Sequence, residues 1–286
     1  MSTIAITGAS GQLGRLVVQQ LLKSVPAGNL AALVRDPAKA ADLAALGVQV
    51  RKADYDQPES LTAALAGVER VLLVSSNDLG KRVAQHAALI TAARETGVGQ
   101  LAYTSVLHAD TSPLGLAEEH RETERLVQES GLPHTLLRNG WYTENYTAGL
   151  PGALAHGALL GSAGEGRISS AARQDYAEAA ALVLTRPIEQ ARILELAGDA
   201  SYTLTGLAAE LSRQSGKEIP YRNLPQAEYA AVLKQIGLPA PLAELVADSD
   251  AGAAKGALFD DRGELGKWIG RATTTLAESV KVALEA

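Results

Sequence analysis

The chain has 286 residues, of which 47% are hydrophobic and 20% are charged, as in an ordinary globular protein with a sizeable core. Its net charge of -6 disfavours a nucleic-acid partner, and the absence of cysteine excludes disulfides, thiolate metal sites and a cysteine nucleophile. No apolar run approaches the ~20 residues of a membrane span. Together with a first strand that starts almost at once, these features predict a cytoplasmic protein.

The N-terminal stretch combines an apolar run with three glycines, Gly8, Gly11 and Gly14, and then a helical apolar stripe that includes Val17 and Leu21. This pattern predicts a strand, a tight turn and a helix. We expect unusual dihedrals at Gly8, a close approach of backbone amides to a pyrophosphate at Gly11, and close helix packing at Gly14. The N–H groups at the helix start would then face the phosphates. A strand, turn and helix without a ligand is the alternative.

Short β-rich runs alternate with helical patterns up to about residue 138, which predicts an α/β fold, a Rossmann doubly wound parallel sheet. Ligands of such sheets bind beyond the carboxyl ends of the strands, so functional residues are expected there. The predicted strands are Thr3–Thr7, Leu30–Arg35, Val48–Ala53, Arg70–Val74, Leu101–Ser105 and His134–Arg138.

Charged residues end the second and third predicted strands. Arg35 stands where an NAD site would have an acid on the adenosine ribose, so it predicts NADP, whose 2′-phosphate a guanidinium can grip. Asp36 is followed by Pro37, which indicates a helix cap, and a ribose contact is the alternative. Asp54 is either an acceptor for the adenine amino group or a turn former.

Polar residues stand at the ends of the fourth and fifth predicted strands. The segment Ser75–Asn77 stands where the backbone would pass the ribose and pyrophosphate of the cofactor. The segment Tyr103–Ser105 stands where dehydrogenases of this fold place a hydroxyl beside the nicotinamide. Those enzymes add a tyrosine followed four residues later by a lysine, which lowers the pKa of the phenol, and this chain has no such pair. A reaction that needs a dedicated proton donor is therefore disfavoured.

The predicted helix at about 117–130 is acidic and carries His120 and Glu124 on one face at i, i+4 spacing. A metal pair, an acid–base pair and a solvated acidic face are the alternatives. We favour the solvated face and reject a metal, because no third ligand stands nearby.

Aromatic residues concentrate after the sixth predicted strand. The chain contains only 2 Trp, 8 Tyr and 1 Phe. Three of these aromatic residues, Trp141, Tyr142 and Tyr146, lie within six positions. Such rings can stack a flat substrate on a nicotinamide, each pair contributing roughly 0.5–1.5 kcal/mol beyond its buried area. Filling the join between two lobes is the alternative.

Beyond residue 150 the alternation loosens, which predicts a Rossmann domain at 1–150 and a smaller, mainly helical C-terminal lobe at 151–286 that binds substrate, with some segments returning to the sheet. Asp175 is expected to cap an alanine-rich helix that ends near Leu184, and Thr275 with Glu278 predicts a capping box. The other predicted segments are a glycine-rich hairpin or loop at 157–166, a strand at 192–196, helices at 205–214 and 226–235, and a loop at 248–256.

Several stretches together resemble the NmrA-like atypical short-chain dehydrogenases over the full length of the chain. The glycine motif at 7–14 is generic, whereas the stretches 108–117 and 138–142 are specific. The resemblance also includes 34–40, 102–105, 136–142 and 247–250. It implies that NADP(H) contacts Gly8, Ala9, Ser10, Gly11, Gln12, Leu13, Arg35, Ser75, Ser76, Asn77, Asn139, Gly140, Trp141, Tyr142, Thr143 and Glu144.

The resemblance implies an NADPH-dependent reductase that transfers a hydride directly to a small-molecule quinone without flavin or metal. Asn139 and Tyr142 are the expected catalytic residues, with His120 as a weak proton relay. Many family members have a lysine at the position of His120, so a lysine-assisted mechanism is not expected. The alternatives are an NADP-binding redox sensor with little turnover and a reductase of another flat acceptor, such as a triphenylmethane dye. A homodimer is left open.

Overall fold

The computed structural model describes residues 3–285, and a seven-stranded sheet forms the centre of the fold in this part of the chain. Its strands lie in the order β3-β2-β1-β4-β5-β6-β8, and neighbouring strands from β3 to β6 are parallel. They are β1 (Thr3–Thr7), β2 (Leu30–Val34), β3 (Gln49–Lys52), β4 (Val68–Leu73), β5 (Gln100–Val106), β6 (His134–Asn139) and β8 (Ala191–Leu196). The predicted Rossmann sheet is confirmed, and the strand predicted at 192–196 joins the first six predicted strands as β8. Two short strands, β7 (Leu159–Gly161) and β9 (Tyr221–Asn223), pair separately and in parallel.

The helices between the strands complete the doubly wound arrangement. In the described residues they are α1 (Gln12–Leu21), α2 (Ala41–Ala45), α3 (Pro58–Ala64), α4 (Arg82–Glu95), α5 (Ala117–Glu129), α6 (Glu144–Thr147), α7 (Leu150–His156), α8 (Arg173–Thr185), α9 (Leu204–Ser215), α10 (Gln226–Gln235), α11 (Ala240–Ala253), α12 (Glu264–Ile269) and α13 (Leu276–Glu285). None of them is long and apolar enough to cross a membrane.

The core of the sheet lies under helices because both of its faces are apolar. One cluster joins buried strand residues such as Leu73 and Tyr103 to Leu61 on α3, Leu89 on α4 and Val127 on α5. Helices α1 and α8 pack against each other and against strands of the sheet. Successive residues of a strand point to opposite faces, so continuous burial along β2 and β5 requires cover on both sides.

The chain divides into two compact units that are discontinuous in sequence. The first unit consists of the chain through Ala109, Glu119–Asn139 and Arg173–Glu195. The second consists of Asp110–Glu118, Gly140–Ala172 and the chain from Leu196. The segment 173–195 lies in the range predicted for the C-terminal lobe, from which some segments were expected to return to the sheet. It belongs with the sheet, because α8 packs on α1 and β8 continues the sheet beyond β6.

Side chains cap two helices of the second unit, and the cap of α13 is the one that the sequence predicts. Thr203 caps α9 by accepting the Gly206 N–H at 3.1 Å. The predicted box before α13 is confirmed: Thr275 Oγ1 accepts the Glu278 N–H at 3.2 Å, and Glu278 Oε2 accepts the Thr275 N–H at 2.8 Å. Helix α10 has the predicted bounds.

Two predictions for later segments were wrong, and the hairpin or loop predicted at 157–166 is a loop only outside β7. Residues 248–253 belong to helix α11 rather than to a loop, because their alanines favour a helix and their acids make tertiary contacts: Asp250 accepts the Tyr146 O–H, and Asp248 accepts the Gly115 N–H. The stretch 157–166 holds β7, which pairs with distant β9 and not within a hairpin. Asp175 does not precede α8 as a cap but is buried in its first turn.

We expect the substitution Gly14→Ala to destabilise the fold, although alanine favours helices. An added Cβ would lie 2.5 Å from Gly8 O and 3.0 Å from Ala9 Cα, which are backbone atoms that cannot rotate away. Urea unfolding should show a loss of about 1–3 kcal/mol. The matched control is Gly28→Ala, where a Cβ meets nothing within 4 Å. Equal stability of the two variants would contradict the close packing of α1 on the turn.

Candidate cofactor and active site

The turn after β1 has the backbone geometry that the glycine motif predicts. Gly8 has a φ of 57°, which is in the left-handed region, and its carbonyl accepts the Gly11 N–H at 2.8 Å. The Ala9 N–H donates to the carbonyl of Leu33 on β2 at 3.4 Å. Gly8 and Gly11 are exposed, so a ligand can approach their backbone.

The N-terminus of α1 is open to an anion. Gly11 occupies the cap position, no side chain caps the helix, and its first turn contains no acidic residue. The unpaired N–H groups and the positive end of the helix dipole therefore face whatever lies over the turn. These features fit the pyrophosphate of a dinucleotide.

The end of β2 presents a cation and a capping acid. Arg35 follows the strand directly and is exposed. Asp36 Oδ1 accepts the Ala38 N–H at 3.0 Å at the start of a 3₁₀ turn, Pro37–Ala40, so the predicted cap is confirmed. The nearby Arg15 is bonded to Asp42. Arg35 is therefore the candidate cation for a phosphate at this edge of the sheet.

Asp54, after β3, forms the turn that was one of its two predicted roles. Its Oδ1 accepts the Asp56 N–H at 3.1 Å, and its own N–H donates to Ser60 Oγ at 2.9 Å. The contact with adenine stays a prediction.

The segment Ser75–Asn77 leaves β4 beside the glycine turn. The Val74 N–H donates to Thr7 Oγ1 at 2.9 Å, and the Ser75 N–H donates to Thr104 Oγ1 at 2.9 Å. The Ser76 N–H donates to Nε2 of His86, which is 0% exposed, at 3.0 Å. Side chains from neighbouring elements thus fix the backbone of this segment at the carboxyl edge of the sheet.

Asn139 ends β6 with an unsatisfied polar atom. Its side chain is 5% exposed, and among the described residues its Oδ1 has no hydrogen-bond partner. A buried acceptor without a partner costs roughly 1–3 kcal/mol, so such an atom at the carboxyl end of a Rossmann strand points to a ligand donor. Its backbone carbonyl accepts the Leu107 N–H at 2.9 Å, which fixes the residue in place.

The chain continues from Asn139 into Gly140–Glu144, which is anchored within the second unit. Tyr142 forms a parallel bridge with Ala171, and the Thr143 N–H donates to the Ala171 carbonyl at 2.9 Å. Thr143 Oγ1 lies 2.8 Å from Ser170 Oγ. Trp141 and Tyr142 are both partly exposed residues.

Tyr146 is held by a buried carboxylate. Its hydroxyl donates to Asp250 Oδ1 at 2.9 Å, while Asp250 Oδ2 accepts the Ser162 N–H at 2.9 Å. Burial and the Asp250 charge raise the pKa of Tyr146 well above its usual value, so the phenol stays protonated. Burial also raises the pKa of Asp250. The predicted position of Tyr146 near a substrate stays a prediction.

The predicted solvated face of α5 was wrong. His120 and Glu124 are 5% and 4% exposed, because this face turns toward the sheet. Glu124 forms a bidentate pair with Arg138 on β6 at 2.7 and 2.9 Å, and Arg138 also bonds Glu195 on β8 at 2.8 Å. The i, i+4 spacing alone did not indicate burial, since the compensating arginine stands on another element.

His120 is paired with a buried phenol. Its Nδ1 lies 2.7 Å from the hydroxyl of Tyr103 on β5. Burial, together with the charge of Arg82, lowers the pKa of His120 well below its usual value. Burial raises the pKa of Tyr103. Both groups are therefore neutral near pH 7.

Sequence reasoning missed the inner side of α4. Arg82, Gln85, His86 and Leu89 recur at helical spacing and are all buried. This stripe was visible in the sequence, but three of its four members are polar, so an apolar pattern does not reveal it.

Among residues 3–285, no group of three or more His, Asp or Glu side chains could hold a metal ion.

The family model described as NAD(P)H-binding matches residues 8–187 of this sequence, the part that contains the glycine turn, Arg35, the 75–77 segment and Asn139. The chain belongs to the NAD(P)H-binding family. The resemblance stated from the sequence is thereby confirmed, and so is a nicotinamide dinucleotide as cofactor.

Known relatives of this NAD(P)H-binding chain match it over nearly its whole length. Quinone oxidoreductase 2 of Escherichia coli is 58% identical over 277 residues, which cover 97% of each chain. The solved structure of the NADPH-dependent quinone oxidoreductase QOR2 of E. coli complexed with NADPH has a TM-score of 0.96 and 57% identity, and covers 99% of this chain and 100% of that one. The Citrobacter sp. triphenylmethane reductase complexed with NADP(H) has a TM-score of 0.95 and 39% identity, covering 98% and 100%.

We expect the pH dependence of stability to report the buried state of His86. Burial, together with the charge of Arg82, lowers the pKa of His86 from 6.5 to about 3 in the folded chain. Between these values the unfolded chain binds a proton that the folded chain does not, so the free energy of unfolding falls as the pH decreases through this window. The substitution His86→Gln should reduce that slope by up to about 1.4 kcal/mol per pH unit. Urea unfolding at about pH 6, 5 and 4 measures it, and equal slopes in the two proteins would contradict the assignment.

Proposed function

We infer that this chain is an NADPH-dependent oxidoreductase that reduces quinones. The observation that carries the inference is the 58% identity, over 97% of both chains, to a protein named quinone oxidoreductase 2. The structure of the E. coli enzyme with NADPH, at a TM-score of 0.96, supports the same cofactor here. The glycine turn and the unsatisfied Asn139 Oδ1 supply the local chemistry that such a cofactor needs.

The residues proposed to hold NADPH follow the carboxyl edge of the sheet. The backbone of Gly8–Leu13 would bind the pyrophosphate through the open start of α1. Arg35 would bind the 2′-phosphate of the adenosine ribose. Ser75–Asn77 would lie along the cofactor, and Asn139–Glu144 would hold the nicotinamide end.

NADPH, when bound, would supply a hydride, and a quinone that takes up this hydride together with a proton from water becomes an aromatic hydroquinone. The part played by the protein is then orientation and the electrostatics of the cofactor site. Asn139 offers a fixed, buried acceptor for an amide donor. Tyr142 and Trp141 offer partly exposed rings against which a flat ring can stack. This division of labour needs neither a flavin nor a metal.

The environment of His120 favours a positioning role over proton delivery. Giving a proton to the product through His120 and Tyr103 would leave a charge on one of them, and burial opposes the charged form of both groups. We propose that the pair holds α5 on β5 and that the quinone oxygen takes its proton from water. The cytoplasmic location stays a prediction, and homodimer formation stays open.

Reduction of triphenylmethane dyes is the second candidate function. The Citrobacter triphenylmethane reductase has 39% identity and a TM-score of 0.95 with this chain. Both kinds of acceptor are conjugated molecules that can take up a hydride, so the partly exposed residues Trp141 and Tyr142 would serve either one.

Purified protein should oxidise NADPH in the presence of benzoquinone or a naphthoquinone with no flavin or metal added. Absorbance at the NADPH band gives the rate, and a triphenylmethane dye serves as the competing acceptor. Activity that requires added flavin would overturn direct transfer. Tight NADPH binding without turnover of any acceptor would favour a redox sensor instead.

The substitution Arg35→Ala should weaken NADPH binding and spare NADH. Loss of a charged contact to the 2′-phosphate costs roughly 1.5–3 kcal/mol, which is about tenfold or more in Kd. Fluorescence titration of both cofactors measures the ratio, and Lys23→Ala, another exposed cation of the first unit, is the control. An equal loss for NADPH and NADH would contradict the 2′-phosphate contact.

A further inference from the structure

One residue of the segment after β4 is held from three sides by a single helix. The Ser76 N–H donates to His86 Nε2 at 3.0 Å, and the Ser76 carbonyl accepts from Arg82 Nε at 2.7 Å. Ser76 Oγ donates to Gln85 Oε1 at 2.5 Å. These three α4 side chains are buried, at 6% exposure or less. The backbone of Ser76 therefore cannot shift without breaking bonds that water does not replace.

The contacts of His86 determine which ring nitrogen carries its proton. Nε2 must accept, since a backbone N–H points at it, so the proton lies on Nδ1 and is donated to Thr123 Oγ1 at 3.0 Å. Thr123 Oγ1 in turn donates to the Glu119 carbonyl at 2.9 Å. Thr123 on α5 thereby fixes the tautomer that Ser76 requires.

The imidazole is also fixed in orientation. Its ring packs edge-on against Tyr103, with centroids 5.4 Å apart, and against Tyr55 at 6.2 Å. The low pKa of His86, about 3, keeps the ring neutral throughout the ordinary pH range, so the acceptor at Nε2 persists. A group that only filled space would not need this combination of two hydrogen bonds and two ring contacts.

We propose that His86 is a positioning residue for the cofactor, which acts by fixing the backbone of Ser76 so that Ser75–Asn77 is preorganised before NADPH binds. This inference rests on the proposed function, which places the segment along NADPH. His86 itself is 0% exposed and acts through Ser76, so its effect is on affinity rather than on the hydride step.

Two substitutions at His86 separate positioning from packing. His86→Phe keeps a ring beside Tyr55 and Tyr103 but removes the acceptor for the Ser76 N–H. His86→Gln loses the ring, and its amide oxygen can still accept from Ser76. We expect the Phe variant to raise the Kd for NADPH about 3- to 10-fold, because the acceptor for the Ser76 N–H is lost. Its kcat at saturating NADPH should stay within about twofold of wild type. The Gln variant should retain most of the wild-type affinity for NADPH.

A second pair of variants works from the far side of the ring. Thr123→Val preserves shape but removes the acceptor for Nδ1–H, which frees the proton to move to Nε2 and oppose the Ser76 N–H. Thr123→Ser keeps the hydroxyl. We expect the Val variant to weaken NADPH binding and the Ser variant to retain it, although Thr123 is 0% exposed.

Fluorescence titration with NADPH, quinone-dependent turnover and melting temperature are measured for wild type and all four variants. Positioning is supported if Phe and Val raise Kd while Gln and Ser do not. Equal affinity in all five proteins, equal weakening in Phe and Gln, or a fall in kcat without a change in Kd would overturn it. Failure of the wild-type chain to bind NADPH would overturn the proposed function as well, so the two failures are distinguishable.

Discussion

The close approach of the first helix to the first strand is the constraint on which the cofactor edge depends. A side chain at Gly14 would meet the backbone of Gly8 at 2.5 Å, so the helix can lie this near only without a Cβ. This contact keeps the turn tight, and glycine at the cap position, Gly11, leaves the start of α1 without a side-chain cap. Because β1 lies between β2 and β4, the polar ends of those strands gather around the same turn.

Buried hydrogen bonds then give the remaining segments of that edge a fixed backbone. Thr7, Thr104 and His86 accept three successive backbone N–H groups from Val74 to Ser76. A loop held in this way loses little conformational freedom when a ligand binds, which favours affinity. At the end of β6, the buried ion pairs of Arg138 with Glu124 and Glu195 connect the strand to α5 and β8. The unsatisfied oxygen of Asn139 follows directly after that arginine.

Much of this edge could be predicted from the sequence, because glycine spacing, strand alternation and the residue after each strand carry local information. The turn at Gly8, the cap at Asp36 and the box at Thr275 are of this kind. Burial of His120 could not be predicted, since its partner Tyr103 comes from another element. The helix through Asp250 was missed for the same reason: its acids look like turn formers until Tyr146 and Ser162 are brought to them.

The interrupted course of the first unit has a consequence for synthesis on the ribosome. Helix α8 and strand β8 belong to this unit, but in the chain they follow the segment Gly140–Ala172, which belongs to the second unit. A nascent polypeptide that has emerged only as far as residue 172 has α1 without its packing partner α8, and β6 as a sheet edge without its neighbour β8. The first unit can therefore fold completely only after about two thirds of the chain has been translated. A fragment that ends near residue 150 would be an aggregation-prone intermediate rather than a folded domain.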